Sequence, residues 1–156
     1  MILIDTRERK YSHIEEYFLA NGIEYEKKKL DVGDYLNTDN PNVVIDRKAN
    51  LQEICVNLSK GKENYSRFAR ECKRAFNSHT SLIVLIEGTN CRDLADIKDW
   101  KSKYSKHTGR WLYNEMFRLT MAYGIKWKLC RKNETAKKIL ELLSYDKRRN
   151  IGESSD

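Results

Sequence analysis

The sequence predicts an α/β fold, a mixed sheet with helices on both faces. Three observations predict it. Apolar runs of strand length alternate with segments of helical period along most of the 156 residues. One run, Leu82-Ile83-Val84-Leu85-Ile86, is apolar at every position, as a central strand covered on both faces must be. Residues suited to starting or stopping a helix, such as Gly22, Asn50 and Gly124, stand where the period changes.

The elements follow in order. Ile2-Leu3-Ile4 reads as a buried strand that ends abruptly at Asp5-Thr6-Arg7-Glu8. Tyr11 to Asn21 carries Tyr11, Ile14, Tyr17 and Phe18 near helical spacing, and Gly22 closes that helix. Ile23 to Leu30 is expected as a strand, and Val32 to Leu36 as a further extended segment after a kink at Gly33. The turn-rich run Asn37 to Asn42 predicts a hairpin connection into a strand from Val43 through Asp46-Arg47-Lys48. Asn50 can cap a helix from Leu51 to about Leu58, with Glu53 at its third position. Glu63 to Asn77 is a second helix with Tyr65, Phe68, Ala69, Cys72 and Phe76 on one face. After Glu87-Gly88 come a short helix near Asp93 to Trp100 and an exposed basic loop from Lys101 to Gly109. Arg110 to Tyr123 is helical. Ile125 to Leu129 alternates, as a strand near the sheet edge does. A last helix from Asn133 to Tyr145 is expected to be capped by Asn133 or Thr135. Residues 1–146 read as one domain, and 147–156 as a charged tail that frays.

Composition narrows the function. An apolar fraction of 40% with 34% charged residues, one proline and seven glycines describes a globular chain without low-complexity segments. Lys+Arg outnumber Asp+Glu by 30 to 23, for a net charge of +7, which favours polyanionic partners. The four cysteines show no CxxC spacing and the three histidines stand apart, so neither a zinc site nor a disulfide framework is expected. No apolar signal core or membrane span is evident. A cytoplasmic protein is expected, with no membrane partner and no small-molecule cofactor.

Three acidic clusters sit where apolar strands run out: Asp5-Thr6-Arg7-Glu8, Gly33-Asp34-Tyr35 and Asp46-Arg47-Lys48. Strand side chains alternate faces, so Asp46 and Lys48 project together while Arg47 points away. The hairpin would bring Asp34 beside Asp46. Mg²⁺ or Mn²⁺ takes hard oxygen ligands, usually one or two carboxylates plus water and phosphate. A lysine beside such an ion can orient or deprotonate the attacking water, or stabilise charge building on the phosphate. Two carboxylates and a lysine are thus a minimum set for phosphodiester hydrolysis.

Taken alone, Asp-x-Lys is a common tripeptide; specificity comes from the ordered series IDTRE, LDVGDY and VVIDRK, with Glu53 and Leu85-Ile86-Glu87-Gly88 after it. That series resembles the nuclease domain of XPF-type structure-specific endonucleases, a branch of the PD-(D/E)xK restriction-endonuclease-like fold. The resemblance spans roughly residues 1 to 130. It implies a metal-dependent DNA endonuclease acting on branched or flapped DNA. Asp34 and Asp46 match the metal-binding carboxylates, Lys48 the catalytic lysine, and Asp5 and Glu8 additional acidic residues, with Asp5 counted among the metal ligands. Arg47 matches the family's arginine and is assigned to DNA. Asp46 stands where the family more often has Glu, and Glu53 falls about one residue after the usual helix acid. Family members often carry helix-hairpin-helix domains, for which this chain has no room. The compact version suggests a phage or bacterial-type protein, acting in the host cytoplasm if phage-encoded.

Arg67, Arg70 and Arg74 share a helix face, with Lys60, Lys62 and Lys73 nearby, and can track phosphates. Lys103 and Lys106 stand in the loop between Trp100 and Trp111, where aromatics can stack on bases or simply anchor helix ends in the core. The broad apolar surface of the helix from Arg110, together with the last helix, predicts a homodimer interface, as the resembled family also implies. Two competing readings stand beside the enzyme: a catalytically inactive DNA-binding scaffold of the same fold, and a metal-independent nucleic-acid-binding domain.

Overall fold

The computed structural model describes residues 1–59 and 61–148, with side chains left out at 61–66. Lys60, the side chains of Lys62 and Tyr65, and all of the expected tail beyond residue 148 lie outside what is described. Six strands form one sheet: β1 (Ile2–Ile4), β2 (Tyr25–Lys27), β3 (Tyr35–Asn37), β4 (Asn40–Lys48), β5 (Ser81–Ile86) and β6 (Lys126–Leu129), in the order β2-β1-β3-β4-β5-β6. Only β3 runs against its neighbours; the pairs β1–β2, β4–β5 and β5–β6 are parallel. The carboxyl ends of five strands therefore share one edge. Both the Asp5–Glu8 and the Asp46–Lys48 segments arrive at it.

Five helices cover the sheet: α1 (Ser12–Ala20), α2 (Leu51–Ser59), α3 (Gly61–Asn77), α4 (Gly109–Tyr123) and α5 (Thr135–Leu142), with a 3₁₀ segment at Leu94–Asp99. The period-two rule divides the core. Val44 of β4 and Leu82, Val84 and Ile86 of β5 face Leu51, Ile54 and Leu58 of α2, Phe68 and Cys72 of α3, and Leu112, Met116 and Leu119 of α4. Ile45, Ile83 and Leu85 face the other way, toward Ile14 and Phe18 of α1 and Ile139 and Leu143 of α5. Full burial of such side chains is worth about 1.5–3 kcal/mol each, so a register slip that exchanged the two faces would be severely penalised. Cys55, Cys72 and Cys130 are buried and Cys91 is half-buried, all as free thiols. Among the described residues no helix is long and apolar enough to cross a membrane.

Several expectations are corrected. The second strand is only Tyr25–Lys27, because the chain from Lys28 turns away where the Leu30 amide bonds Asp5. The hairpin connection shrinks to Thr38-Asp39, and β4 begins at Asn40, running through Pro41 before the chain joins β5 at Val43. Neither Asn133 nor Thr135 caps α5: Glu134 holds the cap position without a side-chain bond, and the Thr135 hydroxyl is turned into the core. Finally, α4 and α5 pack on opposite faces of the sheet, α4 in the core with α2 and α3 and α5 in the core with α1. Most of the apolar stripe of α4 is consumed inside the chain; Phe117 and Met121 remain outside, 55% and 72% exposed.

Candidate active site

The hairpin between β3 and β4 delivers two carboxylates to the carboxyl edge of the sheet. Gly33 allows it: its φ of +72° favours glycine, and a Cβ there would lie 2.6 Å from Val44 Cγ2 and 2.8 Å from the Ile45 carbonyl. The backbone can therefore press against β4, with the Asp34 amide donating to the Ile45 carbonyl at 2.7 Å. The Asp34 carbonyl accepts from the Asp5 amide at 2.8 Å, which joins the ends of β1 and β3. Asp34 Oδ2 accepts the Arg47 amide at 2.8 Å.

On the α2–α3 side of β4, Lys48 Nζ lies 3.4 Å from Asp46 Oδ2 and 5.1 Å from the centre of the Phe68 ring. Asp46 and Lys48 are both buried. Asp46 Oδ2 makes no hydrogen bond, although buried carboxylate oxygens normally find donors. Glu71 enters this group from α3, where its Oε1 accepts the Gly33 amide at 2.9 Å. Burial and the neighbouring charges of Asp46 and Glu8 drive the Asp34 carboxyl well above the usual carboxylate range, with the Asp46 contact adding to the rise and the Arg47 amide opposing it. Burial and Asp46 push Glu71 up to about 7. Burial alone would lower the Lys48 ammonium, but Asp46, Glu53, Glu71 and Asp34 together hold it above its ordinary value. The protein thus keeps mutually repelling acids together, with one buried cation among them.

Such a group fits a divalent ion. Its donors are hard oxygens, and one of them, Asp46 Oδ2, is buried with no hydrogen bond and only the Lys48 ammonium nearby. Among the described residues no three His, Cys, Asp or Glu side chains converge into a ready-made ion cage. Mg²⁺ does not need such a cage, since it keeps several waters and takes only one or two protein carboxylates.

The opposite face of β4 is built differently. The Arg47 guanidinium donates from Nε to Glu8 Oε2 at 2.9 Å, from Nη1 to Glu87 Oε1, and from Nη2 to the Arg9 carbonyl at 2.7 Å. Glu87 Oε2 in turn accepts the Thr135 hydroxyl at 2.6 Å and lies 3.0 Å from His13 Nε2. This chain ties α1, β4, β5 and α5 together. Arg47, expected at DNA, is 8% exposed, and its guanidinium nitrogens are engaged by Glu8, Glu87 and the Arg9 carbonyl. Glu8 belongs to this chain through Arg47, and its charge also bears on Asp34. Asp5 is likewise engaged. Burial would raise its carboxyl, but hydrogen bonds from Arg7 and from the Leu30 amide at 2.8 Å outweigh that and hold it below the usual range. Both its oxygens are occupied, so it braces the strand ends.

Glu71, Glu87, Thr135 and His13 were not expected in any functional role. Glu71 had a legible signal: it stands with Phe68, Cys72 and Ala75 at 68, 71, 72 and 75, an acid inside the buried stripe of an amphipathic helix. Glu53 caps its own helix end, accepting the Ala49 amide at 2.8 Å, while its amide donates to Asn50 at 2.9 Å.

Of the expected phosphate contacts, Arg67, Arg70 and Arg74 are exposed on α3, Arg74 donating to the Asp31 carbonyl at 3.3 Å. Lys103 and Lys106 are exposed in the loop that a Lys101–Thr108 bridge closes. Trp100 and Trp111 pack against the core, and His107 stacks on Trp111 with ring centres 3.9 Å apart. On the other flank, a cleft is lined by the cations Arg7, Arg9, Lys10, Arg47 and Lys132 together with the acids Glu8, Glu53 and Glu87.

Comparison with known proteins agrees with this architecture. The ERCC4 domain matches residues 4–142. XPF from Aeropyrum pernix has the same fold, with a TM-score of 0.69, 22% identity, and coverage of 97% of this chain and 68% of that one. XPF from Aeropyrum pernix in complex with DNA superposes with a TM-score of 0.67 at 22% identity, covering 92% of this chain and 62% of that one. The chain therefore spans roughly two thirds of the length of these structures. No curated protein sequence matches it.

Proposed function

The chain belongs to the ERCC4-domain family, and from that premise we propose that it is a divalent-metal-dependent endonuclease that hydrolyses phosphodiester bonds in structured DNA, branched or flapped. One observation carries the reading. Asp46 Oδ2 is buried without a hydrogen bond, 3.4 Å from Lys48 Nζ and beside Asp34, at the edge where five strands end. Burying such a group is costly unless a ligand completes it.

Asp34 and Asp46 would hold Mg²⁺ or Mn²⁺. When bound, the ion supplies charge neutralisation at the phosphate and acidifies water. Lys48, kept charged by its acidic neighbours, stabilises the negative charge that grows on the phosphoryl oxygens in the transition state. Asp5 fixes the strand ends, and the Arg47 amide fixes the Asp34 carboxylate. Glu8 and Arg47 act through the scaffold on the far side of β4. Backbone phosphates run over the exposed cations: Arg67, Arg70 and Arg74 on one side, Arg7, Arg9, Lys10 and Lys132 on the other, with Lys103 and Lys106 in the outlying loop. The XPF structure solved with DNA supports a nucleic-acid substrate. Two copies pair through the outer face of α4, where Phe117 and Met121 are exposed and Phe76 packs edge-on against Tyr123.

The test uses labelled flap, fork, four-way-junction and linear DNA with Mg²⁺, Mn²⁺ or EDTA. Cleavage is expected with either metal on branched substrates, none in EDTA, and none in Asp46→Ala or Lys48→Ala. Binding without cleavage under every condition would replace the enzyme with a scaffold. No binding even at low salt would discard both.

A further inference from the structure

The acidic group contains a member that neither the strand-end motifs nor the hairpin supplies. Glu71 comes from α3, and its Oε1 accepts the Gly33 amide at 2.9 Å, at the turn that aims Asp34. Its other oxygen accepts no hydrogen bond from the described residues. That bond sets Glu71 next to Asp34 in the chain's turn, within range of the charges of Asp46 and Lys48. The acid that begins α2 is not equivalent, because Glu53 is committed to the Ala49 amide at its own helix start.

Resting on the nuclease reading above, we infer that Glu71 is the third acidic member of the cation site, holding the hydrated ion across a water while Asp34 and Asp46 hold it directly. A hydrated ion suits the geometry, because among the described residues no three carboxylates meet closely enough to form a cage, and Mg²⁺ gives up its waters reluctantly. Asp46 Oδ2 is buried with no hydrogen bond and only the Lys48 ammonium 3.4 Å away, which leaves room in its coordination for a cation. Glu71 also adds the negative charge needed to offset the buried Lys48, whose ammonium would otherwise repel an incoming divalent ion. Groups that hold coordinating ligands or waters in this way typically change metal affinity 10–100-fold when removed.

The experiment is calorimetric titration of Mn²⁺ into the full chain and three variants: Asp46→Asn, Glu71→Gln and Glu53→Gln. Gln at position 71 can still accept the Gly33 amide, so a purely structural role would leave metal affinity intact. The expected result is no binding in Asp46→Asn, affinity reduced about tenfold or more in Glu71→Gln, and near-native affinity in Glu53→Gln, with melting temperatures in EDTA unchanged. Native affinity in Glu71→Gln alongside lost binding in Asp46→Asn would overturn the role of Glu71 and leave the nuclease reading standing. Absence of Mn²⁺ binding to the native chain would overturn both. Should Glu71→Gln melt early in EDTA, carboxyl ¹³C shifts of the native protein under Mg²⁺ titration decide the matter. The inference requires the Glu71 signal to move with that of Asp46, and a static Glu71 signal beside a moving Asp46 would refute it.

Discussion

Asp46 and Arg47 are adjacent in sequence and both buried, yet their side chains enter opposite kinds of environment. Below Arg47, charges alternate in sign: Glu8, Arg47 and Glu87 pair in turn, and Thr135 and His13 complete the far carboxylate, so that the charged groups are all paired although the Tyr35 hydroxyl beside them makes no hydrogen bond. Around Asp46, charges of one sign gather, one oxygen lacks a donor, and a single lysine does not balance three acids. The strand alternation that sorts apolar residues between two cores also sorts a scaffold from a site. A satisfied buried network specifies structure, whereas a frustrated one persists only where something outside the chain completes it.

Breaking the satisfied side carries the largest expected effect. Arg47→Met leaves Glu8 and Glu87 buried without their partner, and losing one member of a buried ion pair costs about 3–5 kcal/mol. Urea denaturation should show that loss, while the corresponding change on the other face, Asp46→Asn, costs much less metal-free stability, because Lys48 loses one acidic neighbour but keeps Asp34 and Glu71, and the repulsion among the acids is relieved. Equal destabilisation by both variants would erase the distinction between the faces. Lys48→Ala comes next. Its cleavage rate should fall about 10²–10³-fold, the usual effect of removing one oxyanion-stabilising donor, with the fold intact by circular dichroism. A rate within a few-fold of native would remove Lys48 from the chemistry.

The same two faces mark how far the sequence could be read. Asp34, Asp46 and Lys48 were legible because period-two alternation and a hairpin are local rules, and local rules brought them together. The two-sided core was legible for the same reason. The bond from Arg47 to Glu87 was not: Glu87 was quoted in the Leu85-Ile86-Glu87-Gly88 stretch, but it lies 40 residues further along the chain, and its own donor Thr135 lies 88 residues beyond Arg47. Thr135 read as a helix cap because threonine caps helices; burial against Glu87 overrode that local preference. Pro41 and Asn42 read as turn for equally local reasons, but they lie ahead of the β4–β5 pairing, where a missing amide is tolerated. Glu71 was the resolvable omission, an acid in a buried stripe that helical periodicity alone could have flagged.

A finer probe of the satisfied face is Thr135→Val, which keeps the shape but removes a donor from Glu87. It should cost about 1.5–3 kcal/mol, the usual worth of a hydrogen bond to a charged group, without changing metal affinity. A neutral outcome would mean that His13 and Arg47 suffice for Glu87.

The smallest effect expected is on the pH dependence of the unsatisfied face. Asp34 and Glu71 both titrate above their ordinary values in the fold, Glu71 at about 7 against 4.5. Between those values the folded chain holds more protons than the unfolded one, so stability in EDTA falls as pH rises through this window and then levels off. Melting temperatures in EDTA should drop by a few degrees from the acid to the neutral end, and Mg²⁺ should restore them near neutrality by binding the ionised carboxylates. A melting temperature that rises with pH across the window, or ignores Mg²⁺, would show that the acids are not held in mutual repulsion.

Where a divalent ion binds is the most direct test of the proposed site. Crystals grown with Mn²⁺ should give an anomalous difference peak within about 2.5 Å of carboxylate oxygens of Asp34 and Asp46, the range of hard-cation ligand distances. A peak seated elsewhere, or none at saturating Mn²⁺, would contradict it.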